Sequence, residues 1–262
     1  MLNKQKLLSH LINQEDKLVM AKVLDKAEEV LRNHQARSTD FLDPSQQELA
    51  QGILNGLPEF NYLLTGGFPQ CERRKVILCP DYLEPGDMDH GLVFLKITGN
   101  FKFQQVSHRD YLGSLLGLGI KREKIGDLFL FDQGCYAIVD NEVASYIINN
   151  LTQVHRVGVK VSPVGQDQVE LPAEEVKESR TTLSSLRLDT VACAGFGVSR
   201  SQMAREIEAE KVKLNWVVNS RKEYPVKEGD IISIRGRGRL EVAEIGGKTR
   251  KERIVVVLRR YL

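Results

Sequence analysis

No uninterrupted apolar run in this sequence approaches the roughly 18 residues that a membrane-spanning helix needs, so no bilayer-crossing segment is expected. The start, MLNKQKLLSHLINQEDK, lacks the apolar core and cleavage site of a signal peptide, and a cytoplasmic address follows as the expectation. Cysteine is scarce. Cys71, Cys79, Cys135 and Cys193 never stand at the two-residue spacing that lets paired thiolates grip zinc. They read as reduced thiols, several of them buried. His10, His34, His90, His108 and His155 are equally scattered, and no metal site and no cofactor are expected.

Two fragments of catalytic motifs lack their partners. His108, Arg109 and Asp110 open like a protein-kinase catalytic loop, yet the fifth residue after the Asp is Leu115 where that loop needs Asn. Neither the metal-binding Asp-Phe-Gly nor the glycine-rich loop is present. GGKT at 246–249 ends like a phosphate-binding loop, but Val242 occupies the place of its first glycine. The stretch HRDYLGSLLGLGIKREKIGD reads instead as a helix with Leu112, Leu115 and Leu116 facing inward. It leaves through Gly117 and Gly119 into a basic turn of Lys121, Arg122 and Lys124.

What is present is an ordinary globular composition, 42% apolar and 27% charged, over 262 residues. That length suits two or three small domains of roughly 100–200 residues each. Apolar positions recur at helical spacing over residues 3–35, giving one or two helices. Another helix should begin after FLDPSQQ, where Asp43 caps and Pro44 takes the first turn. Residues 1–72 are therefore expected to form a mainly helical N-terminal domain.

From 73 to 162 short β-rich runs take over: KVILC, LVFLKI, DLFLF, CYAIV and VGVKV, with DQG as a hairpin turn. Helices are expected at HRDYLGSLL, capped by Ser107, and at EVASYIINN, capped by Asn141. Apart from the first strand, the order is β-α-β-β-α-β, the plait of ferredoxin-like domains and RNA-recognition modules. Phe94 and Tyr136 lie on the strands whose aromatics stack bases in such modules. GCYAIVD departs from their consensus, which favours ordinary packing. Residues 163–182 read as a linker or an irregular strand. The fold class is α+β.

The net charge of +2 conceals an asymmetry: residues 183–262 hold 17 Lys and Arg against 10 Asp and Glu, whereas the first 182 hold 20 against 25. An acidic body thus carries a basic module suited to a polyanion. Within RLDTVACAGFGVSRSQMAREIEAEKVKLNWVVNSRKEYPVKEGDIISIRGRGR two short helices, about 186–194 and one capped by Ser199, flank a Gly-Phe-Gly turn. The strands KVKLN and IISIR follow.

The ordered pieces R-L-D, S-R-S-x-x-x-R, V-K-x-N and G-D-x-I-x-I-R resemble the S4 RNA-binding domain. Many S4 domains have glycine where this chain has Glu210 or Lys211, so the turn out of the second helix is expected to differ. FLDPSQQ, GGFPQCERRK, HRDYLGSLLGLGIKREKIGD, EKVKLNWVV and DIISIRGRGR further resemble the bacterial YlmH family, related to photosystem II S4-domain proteins. The resemblance implies a monomeric, non-enzymatic factor whose partners are rRNA and tRNA on the large ribosomal subunit. There it would act in ribosome-associated quality control, on a subunit carrying a stalled peptidyl-tRNA. It also implies RNA contacts from Arg187, Ser199, Arg200, Arg205, Lys213 and Asn215. Glu206, Glu208 and Glu210 dilute the charge around Arg205.

Two other classes compete. Pseudouridine synthases carry a catalytic Asp in R-L-D, as at Arg187–Asp189, but here the triplet lies inside the S4 unit with about 70 residues after it. A protein-interaction adaptor, in cell division or photosystem assembly, is compatible with the acidic N-terminal part.

Overall fold

The helical periodicity at the N-terminus resolves into α1 (Lys4–Leu8) and α2 (Gln14–Asn33) in a computed structural model that describes residues 2–101, 104, 106–172, 176–234 and 236–261. Asn3 and Asn13 cap them, their side chains accepting from the N–H groups of Lys6 and Glu15. α2 buries Met20, Val23, Leu24, Ala27 and Val30 on one face. α3 (Pro44–Leu54) begins under a reciprocal cap in which the Gln46 N–H donates to Asp43 and the Asp43 N–H donates to Gln46, at 2.9 and 3.0 Å.

These helices pack with a three-stranded sheet of β1 (Arg37–Ser38), β2 (Phe60–Thr65) and β3 (Lys75–Pro80), in the order β1-β3-β2. The expected strand KVILC is thus its centre. Every residue of β3 is buried, including Lys75.

Then come β4 (Leu92–Gly99), α4 (His108–Gly117), β5 (Ile125–Phe131), β6 (Gly134–Asp140), α5 (Asn141–Asn150), β7 (Gln153–Val154) and β8 (Val157–Val164). Their sheet runs β5-β6-β4-β8-β7, antiparallel throughout. This is the expected plait, with β7 added at one edge. Asp140, one residue before the expected Asn141, caps α5 by accepting from the Glu142 N–H. In α4 the buried residues are Tyr111 and Leu115, while Leu116 is exposed rather than inward.

One face of the plait packs on α4 and α5 through Leu95, Ile97, Ile125, Ala137 and Val139. The other is covered as well. Phe94 and Tyr136 are 9% and 2% exposed there, packed with Phe41, Cys71, Ile138 and Val169, and Phe68 meets Phe94 edge-on at 5.5 Å. Packing, not base stacking, accounts for both aromatics.

The basic turn after α4 is also taken into the fold. Arg122 donates to the carbonyls of Ile125 and Gly126. Burial pushes its guanidinium down to about 10. Lys124 sits between Asp40, Glu142 and Asp140 at 2.7, 2.6 and 3.6 Å. Asp140 also receives the ammonium of Lys75 at 2.8 Å, and Lys75 donates further to the Gly91 carbonyl. This ion pair joins the three-stranded sheet to the plait. The whole of Met1–Pro172 forms one compact unit.

The second unit, Ala173–Leu262, contains β9 (Val176–Leu183), α6 (Leu188–Phe196), α7 (Arg200–Glu208), β10 (Val212–Leu214), β11 (Val217–Val218), β12 (Ile231–Ile234), β13 (Gly238–Lys248) and β14 (Ile254–Tyr261). Its sheet order is β11-β10-β12-β13-β14-β9. Residues 176–182, the end of the segment read from sequence as linker or irregular strand, pair with β14 along their whole length. Their polar composition is that of a solvent-facing edge. α6 lies so close to β13 that a Cβ on Gly195 would fall 2.1 Å from a Leu240 methyl. Val191, Met203, Ile207, Ile232, Leu240 and Leu258 lie at the core. After α7 the chain turns through Glu210 at φ 55°, the left-handed conformation that glycine adopts without strain.

Asp140→Asn should destabilise the first unit by about 3–5 kcal/mol, because it strands a buried ammonium. Burial alone would raise the Asp140 pKa, but hydrogen bonds from Lys75 and the Glu142 N–H and the charge of Lys124 hold it below the usual carboxylate range. With the folded pKa depressed, this stabilisation is complete above about 3.9, the unfolded value, and is lost as pH falls through the folded pKa. Urea unfolding read by hydrogen exchange in β3 over an acid pH series checks both. Glu210→Gly should instead stabilise the second unit by about 0.5–1 kcal/mol by relieving the left-handed strain. Hydrogen exchange in α7 and β10 reads that gain.

Candidate nucleic-acid interface

α6 starts where two requirements meet: its first N–H groups need acceptors, and its positive end attracts a carboxylate. The N–H groups of Leu188 and Asp189 donate to the carbonyls of Tyr224 and Lys222. Asp189 supplies the carboxylate. It accepts from Arg187 through Nε at 3.1 Å and Nη2 at 3.2 Å, and from the Thr190 hydroxyl at 3.2 Å. The same hydroxyl accepts from Arg200 at 3.1 Å, and Arg200 also reaches Ser184 at 3.4 Å. Arg187 and Arg200 are thereby oriented from one helix start.

Their charges differ. Arg187 is compensated by Asp189 and approaches Glu223 at 3.5 Å, whereas Arg200 is held by hydroxyls and by no carboxylate among the described residues. A guanidinium fixed in this way keeps donors free for an incoming phosphate.

Ser199 caps α7, accepting from the Gln202 N–H at 3.2 Å, so its hydroxyl is engaged within the fold. Arg205 is exposed and donates only to the Ser201 carbonyl among the described residues. Two of the three acids expected to dilute it are turned elsewhere: Glu206 is forked by Arg237 at 2.7–3.2 Å and Glu208 meets Lys222 at 3.4 Å. The hydrogen bonds from Arg237 hold the Glu206 carboxyl below its usual range. Lys213 projects into solvent from β10 and has no ion pair among the described residues. Asn215 is consumed by the fold, donating to Asp230 and accepting from the Ile231 N–H, each at 2.9 Å. Of the six expected contacts, Arg200, Arg205 and Lys213 stand as open cations, Arg187 as a shared one, and Ser199 and Asn215 as structural residues. Arg235, the last letter of the S4 pattern, lies outside the described residues.

Sequence reading missed Arg253. It lies beyond the S4 pattern, just before β14, and no local motif marks it. It donates to the Thr182 carbonyl at 2.7 Å and lines, with Arg200, Ser184, Thr190 and Cys193, a shallow cleft of about 430 Å³ with no acid among the described residues of its wall. Cys193 donates to the Val198 carbonyl, and burial pushes its thiol upward. All four cysteines are unpaired; burial raises Cys71 to about 12, which leaves no accessible thiolate there. Among the described residues no three His, Cys, Asp or Glu side chains are grouped to hold a metal. No described helix is long and apolar enough to cross a membrane.

Because Asp189 organises the helix start, Asp189→Asn should weaken it by about 1.5–3 kcal/mol, the range for hydrogen bonds to a charged group. Hydrogen exchange of the amides at positions 188 and 189 should quicken, while amides of β12 and β13 stay protected.

Three family models match the chain consecutively: "YlmH, N-terminal" over residues 15–83, "Putative RNA-binding domain in YlmH" over 85–168 and "S4 domain" over 186–232. A curated relative, the ribosome-associated protein quality control protein P2 of Bacillus subtilis, is 34% identical over 231 residues, covering 88% of this chain and 90% of the relative. The solved cell division protein ylmH from Streptococcus pneumoniae shares the fold at 22% identity and a TM-score of 0.50, over 61% of this chain and 97% of that one. The chain belongs to the YlmH family of S4-domain RNA-binding proteins.

Proposed function

We propose that this protein is a non-enzymatic factor that binds structured rRNA or tRNA on the large ribosomal subunit and acts in quality control of stalled peptidyl-tRNA. The observation that carries the RNA contact is the set of cations on the second unit that meet no carboxylate among the described residues: Arg200, Arg205 and Lys213, with Arg253 beside Arg200. Fixed cations neutralise phosphates and release condensed counterions, which needs no base edge and suits folded RNA. The ribosomal setting is supported by the name of the Bacillus relative, which places that protein on the ribosome. Asp189 supports a binding rather than a catalytic role for R-L-D, since both its oxygens are engaged by Arg187 and Thr190.

Co-sedimentation with purified large subunits across a salt series tests this reading. Wild type should bind in a salt-sensitive manner. Arg200→Ala with Arg205→Ala and Lys213→Ala should weaken binding at every salt concentration and lower the slope of log affinity against log salt by about one for each phosphate no longer neutralised. Binding that is absent, or indifferent to all three, refutes it and favours a protein-interaction adaptor.

A further inference from the structure

β10 and β11 are joined by two residues only, Asn215 and Trp216, between the facing pair Leu214 and Val217. Both have positive φ, 48° and 64°. That is the type I′ hairpin turn, whose preferred pair is Asn-Gly. Asparagine at the first position is therefore expected, and it is locked there by Asp230 and Ile231. At the second position, where glycine would be relaxed, stands the sole tryptophan of the chain. A bulky aromatic in the left-handed region is strained.

The fold does not account for this choice. Trp216 is half-buried, yet it is neither in the core of the second unit nor among the hydrophobics packed against that core. Its neighbours Val217 and Val218 are 58% and 46% exposed. Lys211 and Lys213, before and within β10, are both exposed; the charge of Lys211 acts on Glu206, while Lys213 has no ion pair among the described residues. Lys213 faces Val218 across the ladder. An aromatic ring flanked by valines would suit many partners, but the exposed lysines beside it favour a polyanion. Backbone strain kept at a surface tip is characteristic of a site that acts on a ligand.

We propose that Trp216 is a stacking platform for an unpaired nucleobase of the bound RNA, with Lys211 and Lys213 on the adjoining phosphates. Any base offers a π-face to an indole, so the contact selects unpaired over paired RNA rather than one sequence. This inference rests on the RNA-binding reading above and adds the kind of RNA element that the second unit takes.

The lone tryptophan makes the test direct. Full-length protein is titrated with an RNA stem closed by an unpaired adenine loop, and with a blunt duplex of the same stem. Binding is followed by anisotropy of labelled RNA and, separately, by Trp fluorescence. Loop RNA should quench Trp216 saturably, and the duplex should bind without quenching. Trp216→Gly, which restores the relaxed Asn-Gly turn and so preserves the hairpin, should bind loop RNA about tenfold more weakly, with duplex affinity unchanged. Trp216→Phe should recover most of the loss. Salt-sensitive binding of loop RNA without quenching, or equal loop affinity in Trp216→Gly, overturns the stacking platform and leaves the RNA-binding reading intact. Failure of wild type to bind either RNA overturns both.

Discussion

An acid at the first turn of a helix, gripping a cation from another element, organises each unit of this protein. The physical basis is common: a helix start offers free N–H groups and a partial positive charge, so a carboxylate there stays ionised and can hold a cation on its other side. Asp140 at α5 takes Lys75 and Lys124, and Asp189 at α6 takes Arg187. Burial makes the outcomes differ. Asp140 and Lys75 are 5% and 1% exposed at the side chain, so their charges are spent on one another. Arg187 keeps 43% of its side chain exposed, and the Thr190 hydroxyl beside Asp189 passes the same orientation on to Arg200 at the surface. One arrangement builds a fold and the other presents a charge.

Charge in the second unit is accordingly not a diffuse excess. Several of its acids are committed to particular basic partners: Glu206 to Arg237, Glu208 to Lys222, Glu178 to Arg259. Arg200, Arg205 and Lys213, which meet no carboxylate among the described residues, lie on α7 and on the hairpin that follows. A net charge counts both populations alike, but only the uncompensated one can neutralise a phosphate. In the first unit two arginines of the family-like segments GGFPQCERRK and HRDYLGSLLGLGIKREKIGD serve the interior instead. Arg73 donates to the carbonyls of Ile125 and Phe41, and Arg122 to those of Ile125 and Gly126.

The elements whose signals are local were legible. The cap of α3 at Asp43, the Ser199 cap and the strands of the plait each follow from residues within a few positions of one another. The burial of Phe94 and Tyr136 under Phe41, Phe68 and Val169 was not written in their own strands, because the residues that cover them come from distant parts of the chain. The same holds for strand β3, whose apolar sequence fits any buried sheet and which is placed only by its partners.

The module order, the basic C-terminal unit and the chemistry available at Arg187, Arg200 and Arg205 were legible in the chain alone, because composition and short-range caps act along it. The tertiary structure alone decided which cations remain open. Whether Arg122 is a phosphate ligand or a carbonyl donor, whether Glu206 dilutes α7 or pairs with Arg237, and whether Arg253 joins Arg200 depend on hydrogen bonds between residues 4 to 71 positions apart. Electrostatic compensation is set by distance in space, and spacing along the chain does not report it.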